Sequence, residues 1–419
     1  MQIYLVGGAV RDKLLGIENS DRDFVVVGST PEEMLRQGFT QVGKDFPVFL
    51  HSKTHEEYAL ARTERKKGVG YSGFICDYAK NISLKEDLIR RDLTINAIAM
   101  DEKGNIIDPF MGQEDLKRKI LRHISPAFEE DPLRVLRVAR FYAKFYHLGF
   151  TVADETIALM RKISRSGELE ALTPERIFIE LKKALTTDSP ERFILMLRKV
   201  EALHTVLPEL DRLFGVPGPE NWHPEIDSGI HTCMTLKTIC KYTKDPVIRF
   251  AMLCHDLGKG ETPITMWPCH HYHDLLGEKP LRSLAQRLRI PANYFQLALI
   301  VVLNHSTMHQ LYKQGALGIV KLVGKLDGWR KPYNVKAYAL CCKCDFLGRM
   351  GFENKTFNRY EYFLEIYEIC RRVKAEPFIQ QGYRGAAISE QILKKRVELT
   401  ENYCAQLSSE ELSDAPTRP

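Results

Sequence analysis

The sequence predicts an α+β chain, a mixed strand-and-helix head followed by helices alone, and three observations carry that prediction. Up to about residue 125, short β-rich runs alternate with helix-like segments. From about Asp131 to Leu210 the apolar residues recur at helical spacing. A joint rich in proline and glycine, Gly215 to Pro224, then leads into a second helical region that holds most of the histidines. At 419 residues the chain has length for two to four domains, each able to bury a core of its own. With 44% hydrophobic and 27% charged residues the composition is that of a soluble globular protein. The net charge of +6 tilts mildly towards polyanionic partners without by itself establishing nucleic acid.

The elements follow in order. Ile3-Tyr4-Leu5-Val6 reads as a strand that breaks on Gly7-Gly8, Ala9 to Leu15 as a short helix, and Asp21 to Val27 as a second strand. Alternate side chains of a strand share a face, so Asp21 and Asp23 point the same way. Two such carboxylates repel each other without a cation, and a divalent metal is the common answer in phosphate-handling enzymes. Gly7-Gly8 lets backbone approach a ligand, and a helix N-terminus behind it favours anions. Taken alone, the pair reads more readily as a surface strand with two solvated acids after a glycine turn. Further strands are expected at 47–50 and 57–61, and Arg62 to Gly73, with three glycines, reads as a mobile loop. Asp108-Pro109 and Gly112 mark a turn.

Helices are expected in DPLRVLRVARFYAKFY, TIALMRKISR, TPERIFIELKKALT and PERFILMLRKV, with Thr173 and Ser189 as N-caps, each followed by proline. Helices resume from 225 to about 350 and again after Glu353, and Ser408 to Pro419 is expected to be disordered. The chain thus divides into segments 1–140, 141–224, 225–350 and 351–419. Ten scattered cysteines, and a start that runs straight into a strand without a signal peptide, point to reduced thiols in the cytoplasm. Cys341 and Cys344 form a single C-x-x-C with no second pair, too little for a zinc site. The longest apolar run, Phe295 to Leu303, is too short to span a bilayer, so no membrane partner is expected.

Asp131, Arg134, Arg137 and Arg140 recur every three residues and would form one ridge of a helix beginning near Asp131. One reading is a basic surface ridge with a capping aspartate. The other is base recognition: arginine donates to a carbonyl oxygen or ring nitrogen and aspartate accepts from an exocyclic amine, which cytosine and adenine both carry. Arg137 and Arg140 would then hold phosphates.

GGAVRD (7–12), DRD (21–23), RRDLTINA (90–97) and EDPLR (130–134), in this order and spacing, resemble the class II tRNA nucleotidyltransferases, the CCA-adding enzymes and bacterial poly(A) polymerases. The resemblance implies a polymerase-β-like nucleotidyltransferase head over 1–140 and a helical nucleotide- and tRNA-binding region over 141–224. Asp21 and Asp23 would be catalytic and hold Mg²⁺. Gly8, Arg11, Arg91, Arg137 and Arg140 would contact the nucleotide triphosphate, and Asp131 and Arg134 would choose CTP and then ATP as a protein template. No third metal carboxylate is assigned; Glu57 is a candidate only. Arg161, Lys162, Arg165, Lys182, Lys183, Arg192 and Arg198 are candidates for tracking the tRNA backbone.

In the third segment, His231 sits near the start of one amphipathic helix and His255-Asp256 closes another before Leu257-Gly258-Lys259. An imidazole and carboxylate at a helix end, with a histidine from a neighbouring helix, can bind a catalytic divalent metal. A lone histidine in an apolar helix is more often simply packed. The segment resembles an HD phosphohydrolase domain, and the combination is similar to the multifunctional CCA proteins of gammaproteobacteria. That resemblance implies His231, His255 and Asp256 as ligands, with Asp345 a weaker fourth. It also implies phosphatase, 2′-nucleotidase and 2′,3′-cyclic phosphodiesterase activities, with Ni²⁺ or another divalent metal as cofactor. Two departures bear on hydrolysis: His270-His271-Tyr272-His273-Asp274 where relatives often have HHGHG, and His305-Ser306 where they tend to have His-Asp. The expected partners are tRNA, ATP and CTP, in a cytoplasmic monomer or homodimer. The alternatives are a poly(A) polymerase, or a cyclic-phosphate hydrolase whose head merely binds RNA.

Overall fold

The computed structural model describes residues 1–18, 22–42, 48–66, 74–77, 79–220 and 223–407. Asp21, Pro47, most of the Arg62–Gly73 segment and the tail from Ser408 carried expectations and lie outside the described residues. Two compact units make up the chain, Met1–Val206 and Leu207–Pro419, so the 141–224 segment is shared between them.

In the first unit the chain runs through β1 (Gln2–Val6), α1 (Gly8–Leu14), β2 (Asp23–Val27), α2 (Pro31–Arg36), β3 (Thr40–Val42), β4 (Val48–Leu50) and β5 (Glu57–Leu60). It continues through β6 (Thr63–Lys66), β7 (Phe74–Asp77), α3 (Leu84–Ile89), β8 (Ala99–Met100) and β9 (Ile106–Ile107). Seven strands form one mixed sheet in the order β3-β4-β5-β2-β1-β8-β9, antiparallel throughout except for the β2–β5 pair. β6 pairs with β7 in a separate antiparallel ladder, so the stretch read as a loop is a strand at its start. The ladder partners lie 8 to 14 residues on (Lys66↔Phe74 to Thr63↔Asp77), beyond what a short window can display.

Alternation along β2 buries both faces of the sheet. Val25 packs with Val6, Leu88 and Ala97, while Val26 packs with Met34, Phe49 and Leu60 on the other side. Burying each valine is worth roughly 1.5–3 kcal/mol, and a slip of one residue would exchange the two faces. The register fixed in this way sets Asp23 between Val6 of β1 and Glu57 of β5. Capping boxes start α2 and α3, with Thr30 and Glu33 in one and Ser83 and Glu86 in the other.

The unit ends in helices, principally α4 (Gly112–Arg118), α5 (Leu133–Phe145), α6 (Asp154–Arg165), α7 (Pro174–Leu185) and α8 (Glu191–Lys199). The helix expected near Asp131 begins two residues later. Asp131 is extended and its carboxylate accepts the Leu133 N–H at 3.1 Å, satisfying one of the donors that a helix start leaves open. Thr173 is the N-cap of α7, although its hydroxyl makes no capping bond. At α8 the cap position falls to Pro190 rather than Ser189.

The second unit is built of helices. Ser228–Ile239, Pro246–Cys254, Ala292–His309 and Pro332–Leu347 pack against one another, and Arg359–Cys370 and Ala386–Cys404 extend the bundle. Asp227 and Asp245 cap the first two, accepting the N–H groups of Ile230 at 2.9 Å and Val247 at 2.8 Å. Among the described residues no helix is long and apolar enough to cross a membrane.

Candidate functional sites

A cavity of about 710 Å³ in the first unit is lined by Gly7, Gly8, Arg11, Asp23, Glu57, Arg90, Arg91, Asp92, Asp131, Arg134, Arg137 and Arg140, with Arg62, Asn96, Lys144 and Arg176 among the remaining wall residues. Residues from all four motifs therefore meet in one space. The break after β1 makes this possible. Gly7 has φ +67°, and a Cβ there would stand 2.9 Å from Arg91 Nη1, so the guanidinium lies directly against the backbone.

The arginines are committed to partners. Asp87, fully buried, accepts from Arg90 Nη2 at 2.6 Å and from Arg91 Nη2 at 3.2 Å. Asp92 accepts from Arg137 Nε at 2.7 Å and from the Asn96 amide at 2.9 Å. Burial alone would push the Asp92 carboxyl up, but Arg137 and Asn96 more than reverse this and hold it well below the usual carboxylate range. Arg140 Nε donates to Glu180 Oε2 at 2.5 Å, and its guanidinium carbon stands 4.2 Å from the centre of the Phe141 ring. Arg11 donates to Asp12 at 2.7 Å and also to Asn96.

The Asp131–Arg140 ridge is thus neither a solvated surface nor a set of free donors. Arg134 is buried and donates to the carbonyls of Ala127 and Arg90 at 2.5 Å each, while Asp131 accepts from Arg176 at 2.8 Å. Helical spacing gave the ridge but not these partners, which come from α3, α7 and the loops between elements. Arg176 and Glu180 were missed, although their i, i+4 spacing in TPERIFIEL was a visible signal. Asp23 and Glu57, adjacent in register and both on the cavity wall, offer an oxygen-only donor set of the kind a hard cation such as Mg²⁺ takes. Of the basic residues considered for tRNA, Arg161 and Arg165 pair with Glu201 and Lys162 with Glu129, whereas Lys182 and Lys183 are exposed on α7.

The second unit gathers its histidines around two carboxylates. His231 Nε2 stands 3.0 Å from Asp345 Oδ1 and 3.8 Å from Asp256 Oδ2, and its Nδ1 meets Glu225 Oε1 at 2.6 Å. His255 Nδ1 lies 2.7 Å from the Met252 carbonyl, which can only accept, so its Nε2 carries the lone pair. That buried Nε2 has no hydrogen-bond partner and faces Asp256 Oδ2 at 3.3 Å. A lone pair against a carboxylate oxygen is an arrangement that a divalent cation would satisfy, so the donors fit a metal. Lys259 Nζ approaches the same oxygen to 2.7 Å. His309 Nε2 meets Asp345 Oδ2 at 2.6 Å, with Arg349 beside it.

Burial opposes ionisation of Asp256 and Asp345, yet His255 and Lys259 beside the first, and Arg349 and His309 beside the second, hold both far below the usual range. The same unit brings in His273 and His305, neither of which was assigned as a ligand from the sequence. Burial works against a charge on His305, but Asp274 and Asp256 outweigh it and raise its pKa to about 9. Burial and the like charge on His305 lower His273 to about 4.

Comparison with known proteins adds the following. Residues 3–122 match the Poly A polymerase head domain family, and residues 149–214 match the probable RNA and SrmB-binding site of polymerase A. The chain is 54% identical over 401 residues to the multifunctional CCA protein of Vibrio cholerae, covering 96% of this chain and 100% of that one. It is 53% identical over 398 residues to the protein of the same name from Vibrio campbellii, covering 95% and 98%. Among solved structures it resembles a CCA-adding enzyme in an apo form, with TM-score 0.65 and 20% identity over 97% of this chain and 92% of that one. The Thermotoga maritima CCA-adding enzyme complexed with tRNA is similar in fold, with TM-score 0.60, 20% identity and the same coverage.

Proposed function

The chain belongs to the multifunctional CCA proteins, and from that membership we propose that it adds and repairs the 3′-terminal CCA of tRNA from CTP and ATP without a nucleic-acid template. The observation that carries the reading is the convergence of Gly7-Gly8, Asp23, Arg91 and the Asp131–Arg140 segment on one cavity. Residues 1–140 serve as the nucleotidyltransferase head, 141–224 as the nucleotide- and tRNA-binding region, 225–350 as the HD domain and 351–419 as a C-terminal helical region.

In this reading the 3′-hydroxyl of the tRNA attacks the α-phosphate of the nucleotide in line, and pyrophosphate leaves. Asp21 and Asp23 would hold Mg²⁺, with Glu57 beside Asp23 as a further oxygen donor. The metal so held would supply the acidity that lowers the pKa of the attacking hydroxyl and would offset charge on the leaving oxygen. The Gly8 backbone, Arg11, Arg91, Arg137 and Arg140 orient the triphosphate and stabilise charge as it develops. Asp131 accepts from the exocyclic amine of cytosine or adenine, and Arg134 donates to the neighbouring acceptor.

The second unit acts as a metal-dependent phosphohydrolase with phosphatase, 2′-nucleotidase and 2′,3′-cyclic phosphodiesterase activity. His231, His255 and Asp256 hold Ni²⁺ or another divalent metal, and the orphaned His255 Nε2 supports this. Bound metal there would supply a hydroxide nucleophile and polarise the phosphoryl oxygens.

Incubating tRNA that lacks its last three nucleotides with CTP and ATP tests the first activity. Extension should stop after C-C-A and disappear in Asp23→Asn; an open-ended A tail would mean a poly(A) polymerase instead. A cyclic-phosphate hydrolysis assay on the same Asp23→Asn protein should retain activity, and should lose it in His255→Ala.

A further inference from the structure

Arg349 follows the Pro332–Leu347 helix and is buried, with 6% of its surface exposed. The chain there is held from both sides. Asp345 lies one helical turn before it, and Glu225 Oε2 accepts the N–H of Met350 at 3.1 Å, one residue beyond. Gly348 lets this turn close on the Ser228–Ile239 helix, since a Cβ there would stand 2.7 Å from Thr235 Cγ2. Yet the guanidinium is left without an acceptor. Among the described residues its buried Nε has no hydrogen-bond partner. Nη2 lies 3.7 Å from Asp345 Oδ2, beyond hydrogen-bond reach, and 3.2 Å from His309 Nε2. That ring nitrogen cannot accept. At 2.6 Å from Asp345 Oδ2 it must itself donate, because a lone pair facing a carboxylate oxygen so closely would be repelled. The Nε–Nη2 edge is the fork with which arginine binds carboxylates and phosphates. Here Asp345 offsets its charge, but no oxygen among the described residues takes its hydrogen bonds. Donors taken out of water with no acceptor are costly, and the oxygens of a bound anion would satisfy them. Burial and the like charge of Arg349 also hold His309 and Arg359 below their ordinary ranges, a repulsion that an anion at this edge would relieve.

We propose that Arg349 holds the phosphoryl group of the second unit's substrate, donating through Nε and Nη2 to two of its oxygens. The placement fits. Asp345 Oδ1 stands 3.0 Å from His231 Nε2 and 3.8 Å from His255 Nε2, while Oδ2 faces His309 and Arg349. Only the width of that carboxylate separates the His231–His255–Asp256 cluster from the guanidinium. The Phe346 ring, with its centre 5.7 Å from the guanidinium carbon, helps to fix the plane of the fork. Two donors and a full positive charge favour a group with two anionic oxygens. A phosphomonoester such as a 2′-nucleotide carries nearly two charges near neutral pH, and a 2′,3′-cyclic phosphate carries one. The attraction grows with that charge, so Arg349 sorts substrates in favour of the phosphomonoester.

This role rests on the hydrolase reading of the second unit, and comparing two substrates separates the two. The full chain, loaded with Ni²⁺, is assayed on adenosine 2′-phosphate and on adenosine 2′,3′-cyclic phosphate, and its bound nickel is measured. Arg349→Gln should lower kcat/KM roughly 10–100-fold on the 2′-phosphate and clearly less on the cyclic phosphate, with nickel content unchanged. The same variant should weaken calorimetric binding of inorganic phosphate roughly tenfold, any contribution of the head being equal in both proteins. If Arg349→Gln does not fold, Arg349→Lys carries the test. It keeps the charge beside Asp345 and loses the fork, so it too should cost the 2′-phosphate more than the cyclic phosphate. Equal losses on the two substrates, or losses that track lost nickel, would reduce Arg349 to a brace for Asp345 and overturn the proposal. Undiminished rates in both variants would overturn it as well and leave the hydrolase reading standing. A wild type that hydrolyses neither substrate would end that reading and the proposal with it.

Discussion

Replacing Arg176 with methionine keeps the length of the side chain and removes the guanidinium that Asp131 accepts from at 2.8 Å. Both side chains are about one-fifth exposed, at 20% and 19%, so their charge-assisted hydrogen bond lies below the roughly 1.5–3 kcal/mol of a fully buried one. A loss of about 1 kcal/mol should lower the melting temperature of a unit this size by about 2–4 °C. The effect on base choice is separate. An exocyclic amine is what uracil lacks and cytosine has, and one good pair of base contacts discriminates by about 1–3 kcal/mol. If Arg176 sets the orientation of Asp131, losing about 1 kcal/mol of that preference should cut the CTP-over-UTP ratio of kcat/KM roughly fivefold. Single-nucleotide incorporation on tRNA lacking its terminal CCA measures the ratio, and Arg176→Lys, which keeps a charge, should restore part of it. A ratio unchanged in a protein that melts lower would reduce Arg176 to a structural brace. No change in either quantity would mean that the contact is inert.

Gly7→Ala should destabilise the first unit by about 1–2 kcal/mol, because an L side chain is strained at positive φ. The new methyl would also displace Arg91, weakening ATP binding about tenfold by calorimetry. Asp92 titrates below its ordinary range in the folded chain, so the stability it contributes is present above about pH 4 and lost as the pH falls through the acid region. Asp92→Asn should accordingly lower the urea midpoint at pH 7 and converge on wild type in acid. In the second unit a Cβ on Gly258 would lie 1.9 Å from the His273 carbonyl oxygen, so Gly258→Ala must push the His273–Leu276 helix away. A loss of about 1–3 kcal/mol by thermal melting is expected.

Residues adjacent in sequence were the easiest to read. Gly7-Gly8, Arg90-Arg91-Asp92 and His255-Asp256 carry their chemistry within a few positions, and alternation along Asp21–Val27 put Asp21 and Asp23 on a common face. The partners were not legible, because a periodicity says which residues share a side of a helix and nothing about what that side meets. Arg137 was read as a phosphate holder; its bond to Asp92 depends on how α5 packs beyond the sheet. Likewise Asp131, assigned to base recognition, is already held by α7. His273 and His305 are separated by 32 positions and look like ordinary packed histidines until the bundle closes. Asp274 and Ser306, read from the sequence as departures that bear on hydrolysis, turn out to hydrogen-bond to each other beside those rings.

The arginines of the nucleotide cavity are anchored before any ligand arrives, Arg91 by Asp87, Arg137 by Asp92, Arg140 by Glu180 and Arg134 by two carbonyls. Freezing a long side chain on binding ordinarily costs about 0.5–1.5 kcal/mol. Four chains immobilised by folding carry that entropy loss in the stability of the head, so a triphosphate meets a preorganised shell. A cavity so stiff has little room to refit itself between one base and the next. In the proposed reading, the change from C to A in the added sequence would then fall to something other than a rearrangement of these arginines.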